Sequence, residues 1–99
     1  MVTIAMISFP AESSKEMGKR FKDIPPLPQY VTRKGPYVGS ELGVGIKIIS
    51  LWEYDPSKMA EATEFIGNYY AHFFGVPGFT YTIGTWFEIH EAFKMIGLA

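Results

Sequence analysis

Hydrophobic and polar residues follow one another in a pattern that predicts four strands and three helices. Residues 2–9 are a short apolar run that ends at Pro10, as expected for a buried strand. Residues 44–54 predict a second strand in which both alternating sets are largely apolar. These sets are Ile46, Ile48, Ser50, Trp52 and Tyr54 on one face, and Lys47, Ile49, Leu51 and Glu53 on the other. A strand of this kind needs cover on both faces.

Two further segments predict the remaining strands. Residues 29–38 favour a strand at a sheet edge, because Gly35 and Pro36 interrupt it and proline cannot donate to a neighbouring strand. Residues 39–43 supply turn residues, so this strand and the strand 44–54 are expected to form a hairpin. Residues 79–88 alternate β-branched and aromatic side chains with other residues, which is typical of a strand.

Capping residues and apolar spacing predict the helices. Ser13 and Glu16 have the spacing of a capping box, which predicts a helix over about 12–23 that ends before the prolines at 25, 26 and 28. Asp55 is an N-cap candidate with proline at the next position, and an apolar stripe then predicts a helix over 56–74 that Gly75 terminates. Residues 89–96 carry apolar residues at helical spacing and predict a short terminal helix ending at Gly97.

The predicted order is strand, helix, strand, strand, helix, strand and a helical tail, which resembles the ferredoxin-like split βαβ fold. The size and order resemble in particular the dimeric α+β barrel proteins, in which two sheets face each other. Segments 45–54, 75–79 and 91–97 are also similar to those of small prokaryotic proteins of unknown function. The resemblance implies an α+β fold with an antiparallel sheet of order 4-1-3-2, both long helices on one face, and a second subunit on the other.

Composition bounds the class of protein. A chain of 99 residues predicts a single domain over residues 1–99, and 47% hydrophobic residues with 16% aromatic residues favour a subunit contact. The net charge of −1 gives no attraction to nucleic acid or to acidic membranes, and the basic residues at 15, 19, 20 and 22 alternate with acidic ones as on a solvated helix face. Without cysteine, a basic leader or an apolar run of membrane-spanning length, the chain is expected to be cytoplasmic.

Few residues carry recognisable chemistry. Lys47 and Glu53 are expected to avoid the helix-covered layer and to point into the space that a dimer encloses; the alternative is that each lies at a rim near water. His72 suits the negative end of a helix dipole. With His90 it matches no metal-ligand spacing, so neither a metal nor another cofactor is predicted. The Gly43-Val44-Gly45 run leads into a strand rather than a helix, which argues against a phosphate-binding loop.

Aromatic residues are the other candidates for ligand contact. Each combines a flat apolar body with a polar tip, although packing in the core or at an interface is the more common role of such residues. Arg33 on the edge strand could pair with a ligand carboxylate, with a subunit contact, or face water. The aromatic candidates are Trp52, Trp86 and Tyr81, with Tyr37, Tyr69 and Tyr70 as further members.

Two functional hypotheses follow. The first is a homodimer whose interior binds a small apolar or weakly acidic ligand, or that has a structural role. The second is a cofactor-independent monooxygenase or isomerase acting on a small aromatic substrate, which the fold resemblance alone implies. That enzyme would need a proton acceptor, and Lys47, Glu53, Tyr81 and His72 are the candidates. The sequence leaves open which alternating sets of the first and last strands face the helices.

Overall fold

A computed structural model describes residues 1–98 and shows a mixed α+β fold. A four-stranded antiparallel sheet and three α-helices make up this part of the chain. Single 3₁₀ turns, Ala11–Ser13 and Pro56–Lys58, lead into the first two helices. The elements are β1 Val2–Phe9, α1 Ser14–Lys22, β2 Thr32–Glu41, β3 Gly45–Glu53, α2 Met59–Ala71, β4 Thr80–Trp86 and α3 Ile89–Met95.

The sheet places β1 and β3 at its centre and β2 and β4 at its edges. Its order is β2-β3-β1-β4, which reads β4-β1-β3-β2 from the opposite edge. In the register of the central pair, Ala5 lies opposite Ser50 and Thr3 opposite Trp52. Directly paired residues share a face, so these pairings fix which side chains lie together on each side of the sheet.

One face of the sheet packs against α1 and α2 to form the core. Thr3, Ala5, Ile7 and Phe9 of β1 are buried there, and their cross-strand partners assign Tyr81, Ile83 and Thr85 of β4 to the same face. Trp52 has no exposed surface and contacts the rings of Phe65, Tyr69 and Tyr70 from α2 in edge-to-face geometry. The helices therefore decide the face assignment that the sequence leaves open.

The β2–β3 hairpin differs most from its predicted bounds. β2 starts at Thr32 rather than residue 29 and runs on to Glu41, so the predicted turn at 39–43 is wrong and the connection lies at 42–44. Gly35 and Pro36 are accommodated by a register shift between Lys34 and Tyr37, which keeps β2 at the edge as predicted. The remaining strands and helices occur where predicted, with ends that differ by a few residues.

The two predicted N-caps have different outcomes. Asp55 accepts a hydrogen bond from the backbone N–H of Ser57 at 2.9 Å, which confirms it as a cap. The predicted capping box at Ser13 is wrong, because the Ser13 hydroxyl donates to the carbonyl of Pro77 at 2.6 Å. Ser13 thus joins the start of α1 to the loop that follows α2.

The molecule is flat and elongated. Its extents are 49 × 30 × 18 Å, and its radius of gyration of 15.2 Å exceeds the roughly 13 Å of a typical 100-residue domain. Leu42, at the tip of the β2–β3 hairpin, is fully exposed, and Ile89 and Ile96 of the predicted apolar stripe around α3 are also exposed. No helix within residues 1–98 has the length and apolar character needed to cross a membrane.

Candidate functional site

A cavity of about 250 Å³ lies between the sheet and the two long helices. Its walls are mainly apolar, and four hydroxyl-bearing side chains take part in them. This combination is typical of a small-molecule site, in which apolar walls supply burial and a few polar groups fix orientation. The apolar walls include Ile7, Phe9, Met17, Phe21, Ile48 and Phe73, and the hydroxyl residues are Ser14, Ser50, Tyr69 and Tyr70.

Helical and strand periodicity bring these side chains together. Met17 and Phe21 are four residues apart and lie on the same side of α1. Ile48 and Ser50 are two residues apart on the helix-facing side of β3, and Val38 of β2 lies directly opposite Ile48. Gly18 lies at the same wall of α1, and a Cβ atom there would meet nothing within 4 Å.

Tyr70 is held by a hydrogen bond from the sheet. The indole Nε1 of Trp52 donates to its hydroxyl oxygen at 3.1 Å. Burial raises the pKa of Tyr70, and hydrogen bonds with Trp52 and Ser50 oppose that rise. The hydroxyl is therefore neutral at physiological pH.

Tyr69 has a similar arrangement with a charged donor. The Nη1 atom of Arg33 donates to the Tyr69 hydroxyl oxygen at 2.9 Å. Burial raises the pKa of Tyr69 to about 12, although the positive charge of Arg33 acts in the opposite direction. Tyr69 is thus also a neutral hydroxyl at physiological pH.

Arg33 lies on the helix-facing side of the sheet, opposite Trp52 in the β2–β3 register. Its guanidinium carbon is 5.6–5.8 Å from the ring centroids of Phe21, Trp52 and Tyr69. Within residues 1–98, no carboxylate lies at ion-pair distance from it. The half-buried side chain packs on these rings, and its pairing with a ligand carboxylate or across a subunit contact stays a prediction.

Lys47 and Glu53 lie on the outer face of the sheet, which α1 and α2 do not cover. The Lys47 Nζ is 3.4 Å from a carboxylate oxygen of Glu41, and Glu53 is 2.8 Å from the Nζ of Lys34. These two ion pairs lie towards opposite ends of β3, so Lys47 and Glu53 do not contact each other. Neither residue lines the cavity between sheet and helices.

A second concavity of about 240 Å³ opens near the outer face. Lys47 and Tyr81 both line it. The hydroxyls of Ser8 and Thr80, which also take part, are hydrogen-bonded to each other at 2.6 Å. The ring of Tyr81 nevertheless lies on the helix-facing side of the sheet, stacked on Tyr70, so the side chains of these two predicted site residues are on opposite faces.

The other predicted residues are dispersed. Trp52 is a fully buried core residue that lines neither cavity, and its contact with a ligand stays a prediction. Trp86 is 57% exposed on the outer face, opposite Val2. His72 is exposed at the end of α2, where its Nδ1 lies 2.8 Å from the carbonyl of Asn68, and it lines neither cavity. Within residues 1–98, no group of three or more histidine or acidic side chains has the geometry to hold a metal ion.

Sequence reasoning did not select the residues that line the larger cavity. Tyr69 and Tyr70 were only general aromatic candidates, and Ser50 and Phe21 were not candidates at all. Two signals were present in the chain. Ser50 is the one small polar residue within the apolar alternating set of the strand 44–54, and two successive tyrosines lie on the buried stripe of α2.

Comparisons with known proteins assign no family. No family model and no curated protein matches this chain. Among solved structures, one described as "De novo designed protein Foldit4" is similar over 87% of this chain and 96% of its own, with a TM-score of 0.46 and 11% sequence identity.

Proposed function

We propose that this protein binds a small, mainly apolar ligand in the cavity between its sheet and its helices, and that it does so as a homodimer. The observation that carries the proposal is the cavity itself, with its apolar walls and the hydroxyls of Ser50, Tyr69 and Tyr70. A volume of about 250 Å³ lies just below the usual range for ligand sites, which favours a small molecule.

The outer face of the sheet supports the second half of the proposal. Its centre is apolar, with Ile4 and Leu51 partly buried and Met6 and Ile49 about two-fifths exposed. The ion pairs of Lys34 with Glu53 and of Lys47 with Glu41 flank this centre. An apolar centre with a polar rim is the usual anatomy of a protein interface.

A second copy is the proposed partner of this face. The sheet order with two helices on one side resembles that of the ferredoxin-like fold, and in the dimeric α+β barrels a second subunit covers the remaining face. The homodimer also accounts for the high apolar content of a short chain, since a flat molecule 18 Å thick cannot bury all of it.

The binding function is favoured over an enzyme that abstracts a proton in the larger cavity. Tyr69 and Tyr70 are neutral there, and His72 and Glu53 lie elsewhere. Lys47 lies on the outer face, where it is paired with Glu41, and the ring of Tyr81 lies on the opposite face of the sheet, stacked on Tyr70. A proton acceptor must lie within hydrogen-bond reach of the substrate, and none of the four candidates lines the larger cavity.

The test fills the larger cavity and leaves the fold intact. Gly18→Leu places a side chain at the cavity wall, where the added Cβ is unobstructed, and it raises helix propensity by about 0.5–1 kcal/mol. Gly67→Leu is the matched control, because Gly67 is an exposed helical glycine of α2 with equally open space and is not part of the wall.

Binding is measured by calorimetry and by ligand-observed NMR with two probes, 3-phenylpropionate and its amide, 3-phenylpropionamide. We expect at least one probe to bind the unsubstituted protein and the Gly67→Leu variant equally, and the Gly18→Leu variant at least tenfold more weakly. If neither probe binds, or if Gly18→Leu binds as well as its control, the proposed site is wrong.

A further inference from the structure

The described part of the chain leaves one partly buried positive charge without a negative partner beside the ligand cavity. Arg33 packs on the rings of Phe21, Trp52 and Tyr69, and no carboxylate within residues 1–98 lies at ion-pair distance from it. Two of these three rings, Phe21 and Tyr69, belong to the cavity wall. A charge removed from bulk water in this way is stabilised by a nearby opposite charge.

We infer that the ligand of this cavity is a small monocarboxylate with an apolar body. The inference rests on the proposed binding function and specifies its chemical class. The carboxylate lies at the Tyr69 and Tyr70 end of the cavity, within the field of the Arg33 guanidinium, and the apolar body lies against Met17, Ile48 and Phe73.

The hydrogen-bond partners of Tyr69 show which groups are offered to a ligand. Its oxygen accepts a hydrogen bond from Arg33, and a guanidinium has donors only. The proton of the Tyr69 hydroxyl must therefore be donated to a different group. A ligand at this wall is then met by an O–H donor, which calls for an acceptor such as a carboxylate oxygen.

Tyr70 repeats the arrangement with a different donor. Its oxygen accepts from the indole N–H of Trp52, which is also a donor only. The Tyr70 proton can be donated to the ligand, or to Ser50, whose own hydroxyl proton is then available at the same wall. In either case a second hydroxyl donor, from Tyr70 or from Ser50, lies at the same wall as the Tyr69 hydroxyl.

The positive charge selects an anion among the possible acceptors. A carbonyl or ether oxygen would satisfy the hydroxyl donors but would leave Arg33 without a counter-charge. A hydrogen bond from Tyr69 to a carboxylate would be strengthened by the guanidinium bonded to the same hydroxyl, because hydrogen bonds in a chain polarise one another. A phosphate or a dicarboxylate fits less well, because the rest of the wall is apolar and would leave additional charge unpaired.

The test compares a matched acid and amide, 3-phenylpropionate and 3-phenylpropionamide, at pH 7 in low salt. The two probes have nearly the same shape and differ in charge. We expect the acid to bind the unsubstituted protein at least tenfold more tightly than the amide. The Arg33→Gln variant retains a donor for Tyr69 without the charge, and we expect the ratio to fall to about one.

The outcomes separate this inference from the proposed function. If acid and amide bind the unsubstituted protein equally well and Gly18→Leu abolishes both, the anionic ligand is wrong and the binding site stands. If neither probe binds, both proposals are wrong. If Arg33→Gln fails to fold, as judged by circular dichroism, the comparison of acid with amide on the unsubstituted protein still decides the inference, and the preference must weaken as salt is added.

Discussion

Tyr69 and Tyr70 are successive residues of α2, yet both are buried and both are hydrogen-bonded to the sheet. Successive helical residues point about 100° apart, so their hydroxyls reach different strands. Tyr69 bonds to Arg33 of β2 and Tyr70 to Trp52 of β3. The pair thus fixes α2 over the edge and the centre of the sheet, and in doing so it sets the polar wall of the cavity.

The raised pKa of Tyr69 predicts a loss of stability at alkaline pH. The unfolded chain loses the tyrosine proton near pH 10, whereas the folded protein keeps it until about pH 12. The unfolded state therefore binds fewer protons in this window, and the free energy of unfolding falls as pH rises from about 10 to about 12. Urea unfolding at pH 9, 10 and 11 measures this fall in the free energy of unfolding.

Two variants test whether the Tyr69 hydroxyl causes this pH dependence. Tyr69→Phe removes one titrating hydroxyl and should make the decline shallower, and Tyr70, whose pKa burial also raises, accounts for part of what remains. The variant also lowers stability by about 1–2 kcal/mol at pH 7 because the Arg33 donor loses its acceptor. Tyr81→Phe is the control, since Tyr81 is 45% exposed and lies on the face of the sheet opposite the proposed dimer contact. An equal decline in the Tyr69→Phe variant and the unsubstituted protein would show that other groups cause it.

At the scale of the element, the sequence predicts all four strands and all three helices, and the errors concentrate in β2. Gly35 and Pro36 interrupt the strand as a bulge between Lys34 and Tyr37, and pairing continues beyond the predicted end at residue 38 to Glu41. Local turn preference at Gly39 and Ser40 is overridden because β3 offers partners for pairing. The sequence alone could not predict that override, because it depends on contact with another strand.

The two faces of β3 were predictable, whereas those of β1 and β4 were not. In β3, Lys47 and Glu53 mark one face as polar at its ends. In β1 both alternating sets are apolar, so only the position of the helices decides that Ala5 and Ile7 are buried. The cavity was unpredictable for the same reason, because it depends on how α1, α2 and the sheet pack together.

Gly45 at the start of β3 offers a test of how tightly the hairpin meets β1. Its φ is +120°, and a Cβ there would lie 2.7 Å from the carbonyl oxygen of Phe9. Gly45→Ala should destabilise the fold by about 1–3 kcal/mol, because both the backbone conformation and the close approach disfavour a side chain. Gly39→Ala in β2, where the added Cβ meets nothing within 4 Å, should change stability by less than about 1 kcal/mol. Equal losses in the two variants by urea unfolding would contradict this account of Gly45.

At the scale of the whole molecule, the protein is flat and neither α1 nor α2 covers the outer face of its sheet. The core lies on the helix side, where thirteen hydrophobic residues within 1–98 are buried. On the outer face, Met6, Ile49, Tyr37 and Trp86 remain between about 40% and 60% exposed. Exposed apolar area of this extent marks an interaction site more often than a free surface.

The proposed homodimer predicts a melting temperature that rises with protein concentration. For folding coupled to dimer formation, each tenfold increase in concentration adds about 1.4 kcal/mol per dimer, which corresponds to roughly 3–5 °C for two chains of this length.

Ile49→Lys places a charge at the centre of the outer face and should remove the dependence of the melting temperature on concentration. Met59→Lys is the matched control, because Met59 is 46% exposed on α2 and Ile49 is 38% exposed. Light scattering measures the size of both variants. Melting curves recorded from about 1 to about 100 μM protein measure the concentration dependence of their melting temperature. A monomer with a constant melting temperature in the unsubstituted protein would exclude the dimer and leave the cavity site to be judged on ligand binding alone.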